Sequence, residues 1–133
     1  MRNVLLPGDL RAQILREARG VRECCGLLEG ARNGDHFRIT ALHAVENLAR
    51  EDDRFEMNPR DQIAALKAAR ASGHAIVGCY HSHPNGRGEP SAADRMGAGE
   101  ENFLWLIAAG ESLKAFVYLR GEFVGADWVT SSA

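Results

Sequence analysis

The apolar positions of this 133-residue chain change period repeatedly, and each change marks an element. Val4 to Leu6 is long enough only for a short strand. From Pro7-Gly8-Asp9 the spacing lengthens. Leu10, Ile14 and Leu15 share a helical face, and the pattern stops near Gly20. Cys24 to Leu28 is an apolar run of buried-strand length. Asn33-Gly34 then signals a hairpin, so Phe37 to Val45 should return antiparallel. Glu46 to Asp53 is polar and reads as a loop. Asn58-Pro59 is a strong helix start, with Asn as N-cap and Pro in the first helical position. Ile63, Leu66 and Ala69 carry that helix's apolar face to a stop at Gly73. His74 to Tyr80 has strand length, Asn85 to Pro90 is a Gly- and Pro-rich loop, and Ser91 looks like the N-cap of a further helix. Phe103 to Ala108, Ala115 to Leu119 and Phe123 to Val129 read as strands, the last two joined at Arg120-Gly121. The sum is an α/β chain: a mixed β-sheet flanked by about three helices, in a single layered domain over residues 1–133.

Composition narrows the function classes without naming one. Sixteen basic against eighteen acidic side chains leave a formal charge of -2, so no general attraction to nucleic acid or to an anionic membrane is expected. The longest apolar runs fall far short of a bilayer span, and the first residues carry too short an apolar run for a signal peptide. Three cysteines, two of them adjacent, make no disulfide framework and point to a reducing cytoplasm.

The chemistry concentrates between residues 81 and 94. His81 and His83 are two apart at the end of an apolar strand, so both imidazoles can face one ion. The loop that follows leads into a helix starting at Ser91, with Asp94 in its first turn. Two imidazoles and a carboxylate suit zinc with one position left for water. Hydrolysis also needs a carboxylate that is not a ligand to move a proton, and Glu23, at the start of the Cys24–Leu28 strand, is the best candidate. Other zinc sites do not fit. A deaminase needs His-x-Glu with Cys-x-x-Cys, and position 83 is His with no Cys-x-x-Cys anywhere; the helical His-Glu-x-x-His is also absent.

These residues resemble the JAMM (MPN+) metalloproteases. Their signature is an upstream Glu, then His-Ser/Thr-His-Pro, seven residues counted from that Pro, then Ser-x-x-Asp. The matching positions are Glu23, His81, Ser82, His83, Pro84, Ser91 and Asp94. The neighbouring Glu23-Cys24-Cys25-Gly26-Leu27-Leu28 and Arg54-Phe55-Glu56-Met57 also look like the family. The resemblance implies a cytidine-deaminase-like (MPN/JAMM) fold and one zinc per chain on His81, His83 and Asp94. It implies Glu23 as general acid/base and Ser91 as a hydroxyl donor to the oxyanion. Family members cut peptide or isopeptide bonds after the C-terminal Gly-Gly of ubiquitin or ubiquitin-like proteins. A chain this close to the minimal domain resembles the stand-alone bacterial members, which process ubiquitin-like sulfur carriers.

Plainer readings stand beside these. Asp94 suits a helix start by charge alone, and Ser91 suits a cap. Phe55 and Met57 alternate as a strand edge does, and line either a groove for a substrate tail or the core. Cys24, Cys25 and Cys79 fit core packing better than ligation. His36, His43 and His74 have no companion at ligand spacing and read as structural or surface residues. Two other functions compete with the peptidase: a metal-free MPN-type scaffold that binds a ubiquitin-like partner, and a RadC-type protein associated with DNA repair.

Overall fold

The computed structural model describes residues 2–131. Among these, the chain runs β1 (Asn3–Pro7), α1 (Gly8–Glu17), β2 (Cys25–Asn33), β3 (His36–Val45), α2 (Pro59–Ala71), β4 (Ala75–Ser82), α3 (Ala92–Gly97), β5 (Phe103–Ala109), β6 (Ser112–Leu119) and β7 (Glu122–Ser131). The expected mixed sheet with helices is present, but it is not an open layer: it closes on itself in the order β1-β3-β2-β4-β5-β6-β7. Closure depends on β1, which pairs in parallel with both β3 and β7, so that Val4 lies beside Phe37 on one side and Trp128 on the other. Its alternation is strict. Val4 and Leu6 are fully buried, while Asn3 and Leu5 face out.

Alternation along the central strands divides the apolar residues into two clusters. Leu28, Tyr80, Leu104, Leu106 and Val117 join Val4, Leu6 and Ile14 in the larger one. Leu27, Cys79 and Trp105 point the other way, toward α2, with Cys25, Val45 and Ala65. The first cluster is tight enough to require glycine at one point: a Cβ on Gly26 would lie 2.3 Å from the Tyr80 ring. Tyr80 in turn donates its hydroxyl proton to Glu17 Oε1 at 2.8 Å, which satisfies its buried polar end.

Several boundaries differ from the expected ones, each for a local reason. α1 ends at Glu17, short of Gly20, in a tightened turn where the Arg19 amide bonds the Arg16 carbonyl. β2 runs past Leu28 to the hairpin, where Gly34 takes φ +61°. β4 extends to Ser82, so His81 lies within the strand, paired with Cys25 on one side and Ile107 on the other. The Asn58 cap forms as expected, its side chain accepting from the Arg60 amide. The buried face of α2 is the expected one only at Ala69. Ala65 and Ala69 pack inward, while Ile63 and Leu66 stay 54% and 50% exposed. Alanines bring this helix close to the sheet, and the larger side chains are rolled outward. No helix is long and apolar enough to cross a membrane among the described residues.

Candidate metal centre

Three stretches of chain deliver four side chains to one point. β4 carries His81 near its end, and the chain continues extended to His83, whose amide bonds the Ala108 carbonyl of β5 at 2.8 Å. α3 supplies Asp94 from its first turn, and the segment leading into β2 supplies Glu23. One ligand atom from each of Glu23, His81, His83 and Asp94 can be chosen so that all lie within 4.8 Å of one another, and all four residues are buried. His81 Nε2 and His83 Nε2 are 3.0 Å apart. Asp94 Oδ2 lies 3.1 Å from the first and 3.0 Å from the second.

The protons explain why such a cluster suits a cation. His83 Nδ1–H donates to the Arg87 carbonyl at 2.7 Å, so once the ring is neutral its Nε2 faces the cluster with a lone pair. Burial lowers the basicity of His83, but hydrogen bonding to Asp94 and the Arg87 carbonyl, with the charges of Asp94 and Glu23, raises it above the usual imidazole range. His81 is almost fully enclosed, and burial pushes it down. For Asp94, burial opposes ionisation, yet hydrogen bonds from His81, His83 and the Ser91 amide hold its carboxyl well below the usual range. Converging lone pairs and one fixed carboxylate, all on buried side chains, form a donor set that zinc would satisfy.

His81, His83 and Asp94 contact one another through Nε2 and Oδ2, whereas the Glu23 carboxyl makes no hydrogen bond to them. Its buried Oε1, like His81 Nδ1, has no hydrogen-bond partner. Burial pushes the Glu23 carboxyl up to about 7; His83 lowers it by less, and Asp94 raises it further. A carboxyl that titrates near neutrality beside a cation site is placed to take up and return a proton.

Ser91 and Asp94 form a reciprocal capping box. The Ser91 hydroxyl accepts from the Asp94 amide at 3.0 Å, and Asp94 Oδ2 accepts from the Ser91 amide at 2.8 Å. Capping uses a lone pair of the hydroxyl and leaves its proton free. The two readings of Asp94 are therefore compatible, because one carboxylate caps the helix and faces the imidazoles together.

Phe55 and Met57 are both half-buried beside this cluster. The Phe55 ring lies 4.6 Å from the His81 ring and 6.1 Å from Trp105, and Trp105 meets His81 edge-on at 5.6 Å. Phe55, Met57 and Trp105, with the polar Gln62, Asp94 and Glu100, are among the residues lining a cavity of about 340 Å³. Phe55 and Met57 thus pack on the second apolar cluster and wall a cavity as well. Trp105 was visible in the sequence only as one more apolar residue of a strand.

The cysteines stay out of the cluster. Cys25 and Cys79 are buried among apolar side chains, and burial pushes the Cys25 thiol up to about 12. His43 and His74 are not isolated: both meet Glu29, at 2.8 and 2.7 Å. His36 pairs with Asn3.

Residues 7–119 match the family described as prokaryotic homologs of the JAB domain. A desampylase from Haloferax volcanii is 36% identical over 126 residues, which cover 89% of each chain. A probable TtuB-protein conjugate cleaving protease from Thermus thermophilus is 29% identical, covering 87% of this chain and 74% of that one. The solution structure of a protein from Desulfitobacterium hafniense superposes with a TM-score of 0.88 at 28% identity, over 98% of this chain and 94% of the other. The chain belongs to the prokaryotic JAB-domain family, and it is an enzyme of the peptidase or isopeptidase type.

Proposed function

We propose that this chain is a zinc-dependent peptidase or isopeptidase that hydrolyses the bond after the C-terminal Gly-Gly of a ubiquitin-like or sulfur-carrier protein. In this reading, residues 1–133 act as one JAMM domain of the cytidine-deaminase-like type, working in the cytoplasm. The observation that supports it most is the convergence of Glu23, His81, His83 and Asp94, all buried, around one point.

His81, His83 and Asp94 would hold the zinc. When bound, zinc lowers the pKa of water and polarises a carbonyl. Glu23 takes the water's proton and passes it to the leaving amine, for which a carboxyl near neutrality is suited. The proton of the Ser91 hydroxyl, not used in capping, donates to the developing oxyanion. Phe55 and Met57 form the wall along which the extended tail lies. Glycines at the end of that tail let its backbone approach the buried site closely. The desampylase and conjugate-cleaving protease among its relatives favour a conjugate of a ubiquitin-like protein as substrate.

Elemental mass spectrometry on protein purified without added metal tests this first. The expected content is about one zinc per chain, lost in His83→Ala. The loaded protein should then release the partner from a Gly-Gly-tailed ubiquitin-like fusion. A protein that holds no metal and takes up none when zinc is added would sink the hydrolytic mechanism and leave the scaffold reading.

A further inference from the structure

Glu23 has no strand around it. The β2–β4 ladder begins two residues later, with Cys25 opposite His81. A general acid/base in an irregular segment still needs a fixed direction, since a misplacement of about 1 Å can cost about 100-fold in rate.

Two side chains supply that direction, and both act on one peptide group. Asn47 Nδ2 donates to the Glu23 carbonyl at 2.9 Å. The Ser82 hydroxyl accepts from the Cys24 amide at 2.8 Å. That carbonyl and that amide are the two ends of the Glu23–Cys24 peptide bond, which is planar. Holding both ends fixes the plane and hence ψ of Glu23, one of the two soft backbone angles that aim its side chain. The Ser82 amide also donates to the Cys24 carbonyl at 3.1 Å. Ser82 thus continues the ladder beyond its end, using its hydroxyl where a backbone carbonyl would otherwise accept.

Each clamp residue has a second attachment to the site. Ser82 is 1% exposed and lies between His81 and His83. Asn47 uses its whole amide. Nδ2 also donates to the Arg54 carbonyl at 3.2 Å, and Oδ1 accepts from the Ala49 and Glu56 amides, each at 2.9 Å. Arg54 and Glu56 flank Phe55, and Asn47 also bridges Met57 through the backbone. One side chain therefore locks the segment bearing Phe55 to the backbone of Glu23.

We infer that Asn47 and Ser82 are positioning residues that clamp the Glu23–Cys24 peptide from two sides and aim the Glu23 carboxyl at the metal centre. The inference rests on the proposed hydrolase reading, and goes beyond it in naming what holds the acid/base in place.

The test uses zinc-loaded full-length protein, with Ser82→Ala, Ser82→Thr and Asn47→Asp. Asn47→Asp keeps both acceptor contacts of Oδ1 but sets an oxygen against the Glu23 and Arg54 carbonyls. Ser82→Ala and Asn47→Asp should lower kcat on a Gly-Gly-tailed ubiquitin-like fusion by about 10–100-fold, the usual cost of losing a supporting contact. KM and zinc content should hold. Ser82→Thr keeps the hydroxyl and should restore kcat. Hydrogen exchange gives a readout independent of turnover. The Cys24 amide should be protected in wild type and Ser82→Thr, and exposed in Ser82→Ala. Full kcat with an exposed amide, equal protection in all variants, or zinc lost in step with activity would each overturn the inference. If wild type held zinc but cut no conjugate, the proposed function would fail. The exchange pattern alone would then decide whether the clamp exists.

Discussion

The β2–β4 ladder, from Cys25–His81 to Gly30–Ala75, has a carboxylate–imidazole cluster near each end, and the two are built on opposite terms. At one end, just before β2 and at the close of β4, Glu23 meets His81, His83 and Asp94. At the other, Glu29 of β2 meets His43 of β3 and His74, which leads into β4. Both glutamates are 4% exposed. Glu29 has a partner for each oxygen: His43 Nε2 at 2.8 Å on Oε1 and His74 Nδ1 at 2.7 Å on Oε2. Glu23 has a buried oxygen with none. Burial works against charge in both. The imidazole contacts outweigh it at Glu29, whose pKa is lowered, whereas burial prevails at Glu23 and drives it up to about 7. A buried carboxylate with every oxygen paired ties strands together, and one left unpaired beside a donor set for metal is held ready for a proton.

Exchanging each glutamate for glutamine should separate these roles most sharply. Glu23→Gln should keep its zinc and lose about 100- to 10,000-fold in kcat, the span assigned to general acid–base catalysis. Glu29→Gln should turn over at the wild-type rate. Steady-state kinetics with metal analysis on both variants checks the pair. Zinc lost from Glu23→Gln would make Glu23 a ligand, and a comparable kcat loss in Glu29→Gln would erase the distinction.

Ser91→Ala comes next in size. Losing one oxyanion donor costs about 100- to 1,000-fold in kcat, and losing an N-cap about 1 kcal/mol of stability. Turnover and urea unfolding of the same variant distinguish the two. A loss of stability without a loss of rate would leave Ser91 a cap, placing it with Glu29 among the structural groups.

What could be read in the sequence of these two ends follows from chain separation. His81, His83, Ser91 and Asp94 fall within one strand, one loop and one helical turn, so local periodicity brings them together. Glu29, His43 and His74 are distant in sequence and meet only through strand pairing, so each histidine read as solitary. The same applies to Asn47 and Ser82, which reach one peptide bond from different parts of the chain. The strands were visible as alternation, but sheet closure was not. It rests on β1 lying beside β7 at the far end of the chain. The face of α2 misled for another reason: Ile63 and Leu66 look like core residues by hydropathy, while the close approach to the sheet favours Ala65 and Ala69.

The smallest expected effect is on acid stability, and its sign should differ between the two ends. Glu29 is lowered in the folded state, so an unfolded chain, with its glutamates near about 4.3, binds the proton first as pH falls. Its contribution is present above that value and lost as pH drops through the folded pKa below it. Glu23 in the metal-free protein is raised to about 7. Between the unfolded value and that one, the folded chain holds the extra proton, so stability is lost as pH rises. Urea unfolding of metal-free protein should therefore find Glu29→Gln less stable than wild type by about 1–3 kcal/mol at neutral pH, with the gap closing toward about pH 3. Glu23→Gln should gain on wild type as pH rises from about 5 to about 8. Parallel pH profiles for the two variants would mean that pairing does not set the difference between these buried glutamates.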